Sequence, residues 1–239
     1  MRKSNPKEVK AVDYYEKSYT RAHYAGFLGA FTNGYHKSLE RGAKEADKIL
    51  EVGAGEGEHL NFVSHKFLEY FMTDLEIRNH EIPKVTDPRF NHLGTIHQEQ
   101  VNAEDLPYGN NEFQRLVSTC LLHHLSNPDK ALEEWRRVVS HGGQISIYLP
   151  HDPGVIYRWV RHWFSHHKIR HINRSTMKDV KILWSQEHRN HYLSLYYMIC
   201  KVFENDIVVK RNYPIPLLSW NLNLYSVFQI TISKVEDPG

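Results

Sequence analysis

Cysteine, long apolar runs and charge of one sign are all scarce in this sequence, and each shortage excludes a class of protein. The two cysteines, Cys120 in STCLL and Cys200 in YMICKVF, sit in apolar surroundings. They exclude a disulfide scaffold or a cysteine-built metal site and fit small buried hydrophobes. No apolar stretch is long enough to span a bilayer. The opening MRKSNPKEVKAVDYYE has cations with no apolar run behind them, unlike a secretory signal, so the expected location is the cytoplasm. A net charge of +2, from 30 Lys and Arg against 28 Asp and Glu, argues against a surface built as a whole for nucleic acid. Neither internal repeat nor low-complexity tract is present. What remains is 239 residues, 41% of them hydrophobic, enough to bury one ordinary core with an inserted cap.

Along the chain, residues 7–46 mix charged and apolar positions and include Phe27 and Phe31 on an aromatic-rich face, which predicts two or three short helices within a lid of residues 1–46. From Lys48 the apolar run KILEV closes on the glycine series VGAGEG, a buried strand entering a tight turn. Leu60, Val63, Phe67 and Leu68 then have helical spacing and predict a helix. YFMTD predicts a second strand, and Pro83 and Pro88 exclude one long helix after it. Thr95–Val101 and FQRLVSTC predict the third and fourth strands. PDKALEEWRRVVSHGG predicts a helix with Asn127 as N-cap, Pro128 in its first turn and Gly142 as its stop. QISIYLP predicts the fifth strand. This alternation predicts an α/β, doubly wound Rossmann-like sheet, mostly parallel. HYLSLYYMICKVF predicts a buried helix, and DIVVKRN with LNLYSVFQITIS a closing strand pair that adds an antiparallel strand near the C-terminus. The chain is thus read as a single domain: lid 1–46, binding core 47–150, cap insertion 151–190, closing helix and strand pair 191–239.

Glu51, Gly53, Gly55 and Gly57 form E-x-G-x-G-x-G on a strand-to-helix turn, where glycine lets the backbone approach a ligand. A ligand-free tight connection would use the same residues. The related dinucleotide fingerprint holds a pyrophosphate, which Glu58 at the third glycine position and Glu56 beside it would repel. They would not repel a sulfonium, so the chemistry favours S-adenosylmethionine. Asp74, at the end of the second strand, can accept hydrogen bonds from both ribose hydroxyls, and could equally cap a helix. Asn102 can offer its amide to an adenine edge, or simply form a turn.

Together, ILEVGAGEGEHL, YFMTDLE, VNAEDLPYGNNEFQRLVSTCLLHHL and PDKALEEWRRVVSHGGQISIYLP resemble the successive motifs of class I S-adenosylmethionine-dependent methyltransferases related to the ubiquinone and menaquinone biosynthesis enzymes, from about Ile49 to Pro150. The resemblance implies a methyltransferase with S-adenosylmethionine as cofactor. It places Glu51, Gly53, Gly55 and Gly57 around the methionine part, Asp74 at the ribose, and Asn102 with Ala103 beside the adenine. Ala54, Leu75, Glu104, Thr119 and Cys120 complete the implied cofactor-binding set. Two positions depart from the family, which usually has aspartate where Asn102 and Gln114 stand. The second change is expected to affect packing more than chemistry. The tail segments EHRNHYLSLYY and SWNLNLYSVFQI are similar to methyltransferases found among cell-surface polysaccharide enzymes.

Methyl transfer from a sulfonium is an in-line displacement that alignment and desolvation can accelerate, so a base is needed only if the acceptor loses a proton. His123 and His124 follow the fourth strand and His151 the fifth, at carboxyl ends where open α/β sheets place ligands. His124 and His151 are the candidate bases, and space-filling histidines are the alternative. His188 and His191 lie three apart beside Glu187 but lack a further ligand series, so no metal is expected. Within 151–190, Arg158, Arg161, Lys168, Arg170, Arg174, Lys178, Lys181 and Arg189 face only Asp152, Asp179 and Glu187, among aromatics such as Trp159, Trp163 and Trp184. This cap suits an anionic small-molecule acceptor or a membrane surface, and would also fit a solvated helix packed on its own sheet. The reading is O-methylation of a polar or anionic acceptor such as a sugar or lipid-linked sugar. Carbon methylation of a quinone-type ring and a non-catalytic S-adenosylmethionine-binding module are the alternatives.

Overall fold

The computed structural model describes residues 26–76, 94–168 and 189–234. The start of the expected lid, the stretch holding Pro83 and Pro88, and cap residues 169–188 lie outside them. Helix α1 (Gly26–Glu40) leads into β1 (Lys48–Val52), β2 (Glu69–Asp74), β3 (Thr95–Gln100), β4 (Phe113–Ser118), α2 (Pro128–Val138), β5 (Val139–Pro150), α3 (Val155–Lys168), α4 (Tyr192–Val202), β6 (Ile207–Tyr213) and β7 (Tyr225–Thr231). The strands form one sheet in the order β3-β2-β1-β4-β5-β7-β6. β1 to β5 pair in parallel, while β7 runs antiparallel to both β5 and β6. This is the doubly wound, mostly parallel sheet that the sequence predicts.

Burial on both faces explains the near-continuous apolar strands. On β1, Leu50 and Val52 pack with Trp135 of α2 and Leu195 of α4, while Ile49 faces Tyr35 and Leu39 of α1 on the opposite side. β4 divides its side chains in the same way, with Leu116 on one face and Val117 on the other. Trp135 is fully buried, and its indole N–H donates to the Ala103 carbonyl at 3.1 Å, tying α2 to the loop after β3. Gln114, where the family usually has aspartate, accepts the Lys48 N–H at 2.8 Å and so closes the start of β1.

Three local expectations are corrected. The stretch after the glycine turn is a five-residue 3-10 helix, Glu58–Phe62, and not an α-helix. The N–H groups of Leu68 and Glu69 both donate to the Asp47 carbonyl, drawing the chain into β2 before a longer helix can form. Leu60, Val63 and Phe67 are buried as their spacing predicts, but Leu68 is exposed. Second, α2 ends at Val138, because the next twelve residues enter the sheet, and Gly142 lies inside β5 at φ 73° with its N–H on the Ile232 carbonyl. Third, Asn127 occupies the N-cap position of α2 without a side-chain capping bond, and its amide donates to Glu104.

A buried polar cluster, invisible in the motif pattern, fastens α1 to the sheet. Arg115 of β4 has a side chain with no exposure and donates through both terminal nitrogens to the Glu40 carboxylate at the end of α1. His59 of the 3-10 helix bonds the same carboxylate at 3.0 Å, and its other ring nitrogen meets that of His36 at 3.1 Å. Burial by itself pushes the Glu40 carboxyl up, but the hydrogen bond with His59 and the Arg115 guanidinium outweigh it and hold the pKa at about 2. Burial also lowers His36, to about 2, so its ring stays neutral. Removing one member of a buried pair strands the other charge. Glu40→Ala is therefore expected to lower unfolding free energy by about 3 kcal/mol, measured by urea denaturation. A loss below about 1 kcal/mol would show that Arg115 finds another partner.

Candidate active site

The carboxyl ends of β1, β2 and β4 meet at the glycine turn. Gly53, Gly55 and Gly57 have φ of 69°, 55° and 75°, left-handed backbone in which a side chain is disfavoured. A Cβ on Gly53 would also lie 2.9 Å from Leu121 in the loop after β4, so glycine there lets the two loops touch. At Gly55 the same atom would meet nothing within 4 Å, which leaves open space above the turn. The Ala54 N–H is held by the Thr73 carbonyl at 2.9 Å. Asp74 accepts the Gly55 N–H at 3.0 Å and the Glu76 N–H at 3.3 Å. The carboxylate expected at the ribose is thereby brought onto the glycine turn.

Glu51 is fully buried on β1. Its Oε2 accepts the Tyr70 hydroxyl at 2.8 Å, whereas its Oε1 has no hydrogen-bond partner. Burial pushes its carboxyl up to about 8, overriding the opposing effect of the Tyr70 bond, with Glu58 and Glu40 adding repulsion. A buried carboxyl with one unsatisfied oxygen beside a glycine turn suits a cationic group, and an orphaned acceptor of this kind is uncommon in a finished core. With Glu56, Glu58 and Asp74 nearby in the chain, the turn is acidic, the opposite of a pyrophosphate cradle.

The remaining sequence-predicted positions divide in two. Asn102 is exposed and its Oδ1 accepts the Glu104 N–H at 3.0 Å, so it forms the turn while its amide remains available for another acceptor. Ala103 is buried. Glu104 accepts from the N–H groups of Ser126 and Asn127 and from the Asn127 amide, bracing the loop after β3 against the one after β4. Leu75 is exposed, Thr119 is buried, and Cys120 adopts φ 53° while burial raises its thiol to about 12. His124, in a 3-10 turn after β4, is half-buried with its ring 4.0 Å from that of His123. His151 is fully buried, its Nε2 is 2.7 Å from the Ser226 hydroxyl, and its ring packs against Tyr192 and Trp220. Burial lowers its pKa to about 4.

The described residues at either end of the segment expected to form a cap meet this rim. Asn190 donates to the carbonyls of His123 and Leu125, Arg189 donates to Ser126, and the Tyr192 N–H donates to the Asp152 carbonyl. The described residues include no group of three or more His, Cys, Asp or Glu arranged to hold a metal, and His188 lies outside them. A cavity of about 520 Å³ among Asn110, Arg136, Arg137 and Lys234 lies at the far end of β4, away from the glycine turn. Its arginines are already paired with Asp206 and Glu134.

Residues 50–147 match the family described as methyltransferase domain. A ubiquinone/menaquinone biosynthesis C-methyltransferase of Vibrio cholerae is 27% identical over 125 residues, which cover 48% of this chain and 48% of that protein. The chain thus spans about half the length of the curated relatives it matches. Among solved structures, an S-adenosylmethionine-dependent methyltransferase of Thermotoga maritima is similar with TM-score 0.57 at 13% identity, over 94% of this chain and 99% of that one. The N-methyltransferase NodS of Bradyrhizobium japonicum, solved with S-adenosyl-L-homocysteine, gives TM-score 0.53 at 13% identity, over 88% of this chain and 90% of that one. In motif order and sheet order the chain is similar to the class I S-adenosylmethionine-dependent methyltransferases, and the methyltransferase domain family matches its residues 50–147.

Two outcomes check this geometry. The Glu51 carboxyl binds its proton more tightly folded than at its ordinary value of 4.5, so the folded state holds more protons between pH 4.5 and about 8 and stability falls as pH rises through that window. Glu51→Gln is expected to flatten that fall, on the order of a few kcal/mol, in urea denaturation across the window, and an unchanged slope would contradict the assignment. Gly53→Ala is expected to cost about 2–4 kcal/mol through strain and the Leu121 clash, but Gly55→Ala only about 1 kcal/mol. Equal losses in thermal unfolding would contradict the open space above Gly55.

Proposed function

We propose that this chain transfers a methyl group from S-adenosylmethionine to a small-molecule acceptor. The observation that carries the reading is Glu51, a buried carboxyl with an unpartnered oxygen beside three left-handed glycines and the Asp74 carboxylate. S-adenosylmethionine supplies the methyl group on a positively charged sulfur, next to an ammonium. Glu51, Gly53, Ala54, Gly55 and Gly57 would hold its methionine part, Asp74 with Leu75 the ribose, and Asn102, Ala103 and Glu104 the adenine side. Thr119 and Cys120 would complete the wall after β4.

The acceptor would enter over the ends of β1 and β4. We assign the base role to His124 rather than His151, because a base must reach the acceptor's proton and His151 has no exposed surface and a committed Nε2. The receiving atom is then an oxygen of a polar or anionic acceptor, such as a sugar or lipid-linked sugar, in keeping with the cations of residues 151–190. Carbon methylation of a quinone-type ring is the second reading, favoured by the activity named for the Vibrio cholerae relative. A panel of sugars, sugar phosphates and quinone precursors, screened for S-adenosylhomocysteine release with mass analysis of the product, separates the two. Release with a hydroxylated acceptor is expected, slowed about a hundredfold by His124→Ala with donor affinity retained. Donor binding without release on any acceptor would point to a non-catalytic module, and unchanged turnover in His124→Ala would leave catalysis to alignment alone.

A further inference from the structure

Several of the large apolar side chains that the core leaves exposed fall on two neighbouring elements. Along α3, Val155, Trp159 and Trp163 recur every fourth residue and all stand exposed, Trp159 at 65%. The loop joining β6 to β7, residues 214–223, reads PIPLLSWNLN and carries no charge at all. Its Ile215, Leu217 and Leu222 are exposed, and Leu217 stands at 97%, with almost no protein against it. The two elements adjoin. The Val155 N–H donates to Asn221 Oδ1 at 2.8 Å, and a Cβ on Gly154 would lie 3.5 Å from the Trp220 ring. Six large exposed apolar groups therefore lie on two adjoining elements, beyond what single exposed hydrophobes account for.

Charge around this surface selects the occupant. The α3 sequence, VIYRWVRHWFSHHK, holds Arg158, Arg161 and Lys168 and no carboxylate, and Arg158 is exposed beside Trp159. Tryptophan at a wet boundary, a projecting leucine and flanking cations are the components of an interfacial membrane anchor. A second copy of this chain fits less well. A two-fold contact across α3 would set its cations against their own copies with no carboxylate on the helix to offset them, and a protruding Leu217 suits fluid hydrocarbon better than a matching protein surface.

We propose that α3 and the 214–223 loop form a docking face for an anionic lipid bilayer. Because α3 leaves directly from the end of β5, docking would hold the rim of the glycine turn near the bilayer. The proposal does not require the methyl acceptor to be known, and vesicle binding tests it with neither donor nor acceptor present.

The test is flotation of the full chain with phosphatidylcholine vesicles, with and without phosphatidylglycerol. Preferential binding to the phosphatidylglycerol vesicles is expected, weakened by added salt. Leu217→Asp combined with Trp159→Ser should reduce it by about tenfold or more, and Arg158→Glu by at least about fivefold. Thermal unfolding and donor affinity should be unchanged in these variants, since the replaced side chains are exposed. Absent vesicle binding, or equal binding by wild type and variants, would overturn the proposal. A wild-type dimer in sedimentation that Leu217→Asp returns to monomer would also overturn it, assigning the face to a second copy.

Discussion

A guanidinium with no solvent exposure must be neutralised where it lies, and Arg115 in the middle of β4 imposes that requirement on everything packed over it. Its carboxylate comes from Glu40, the last residue of α1, and the same carboxylate receives His59, two residues beyond Gly57. One acid thus fixes the end of α1, the central strand and the exit of the glycine turn relative to one another. The shortened connection after the turn follows from this arrangement, since His59 must sit at Glu40 and Leu68 must reach Asp47 within a few residues.

With its exit pinned, the turn can hold three left-handed glycines and leave open space above Gly55. The surrounding acids decide which ligand that space accepts. Glu51 is desolvated and half-satisfied, and Asp74 bonds the turn itself, so a cationic, ribose-bearing donor complements the site where a pyrophosphate would be repelled. On the far side of the rim, Asn190 and Arg189 hydrogen-bond the loop that carries His124. The glycine turn, the candidate base and residues 189–190 therefore share one edge of the sheet, where open α/β folds arrange their ligand sites.

Much of this was legible from the residues. Strands β1, β2, β4 and β5, the glycine turn and the closing antiparallel strand follow from short apolar runs bounded by breakers, and these signals are local. The place of Asp74 at the end of a strand was legible as well. Helix length after the turn was not, since the apolar spacing from Leu60 to Leu68 fits a helix equally well and only the Asp47 carbonyl decides against it. Gly142 misleads in a similar way, because a left-handed glycine serves a strand irregularity as readily as a helix stop. The Glu40, His36, His59 and Arg115 cluster left no trace in the motifs, as its members come from three elements and meet only in the folded chain. His151 looked as available as His124 until the β6–β7 pair placed Ser226 against it.

Calorimetric titration of S-adenosylmethionine into the folded chain tests the central claim most directly. The account expects micromolar-range binding, weakened at least about tenfold by Asp74→Ala, since the ribose would lose charge-assisted hydrogen bonds. No heat of binding with either S-adenosylmethionine or S-adenosylhomocysteine on folded protein, or an affinity that Asp74→Ala leaves unchanged, would contradict it.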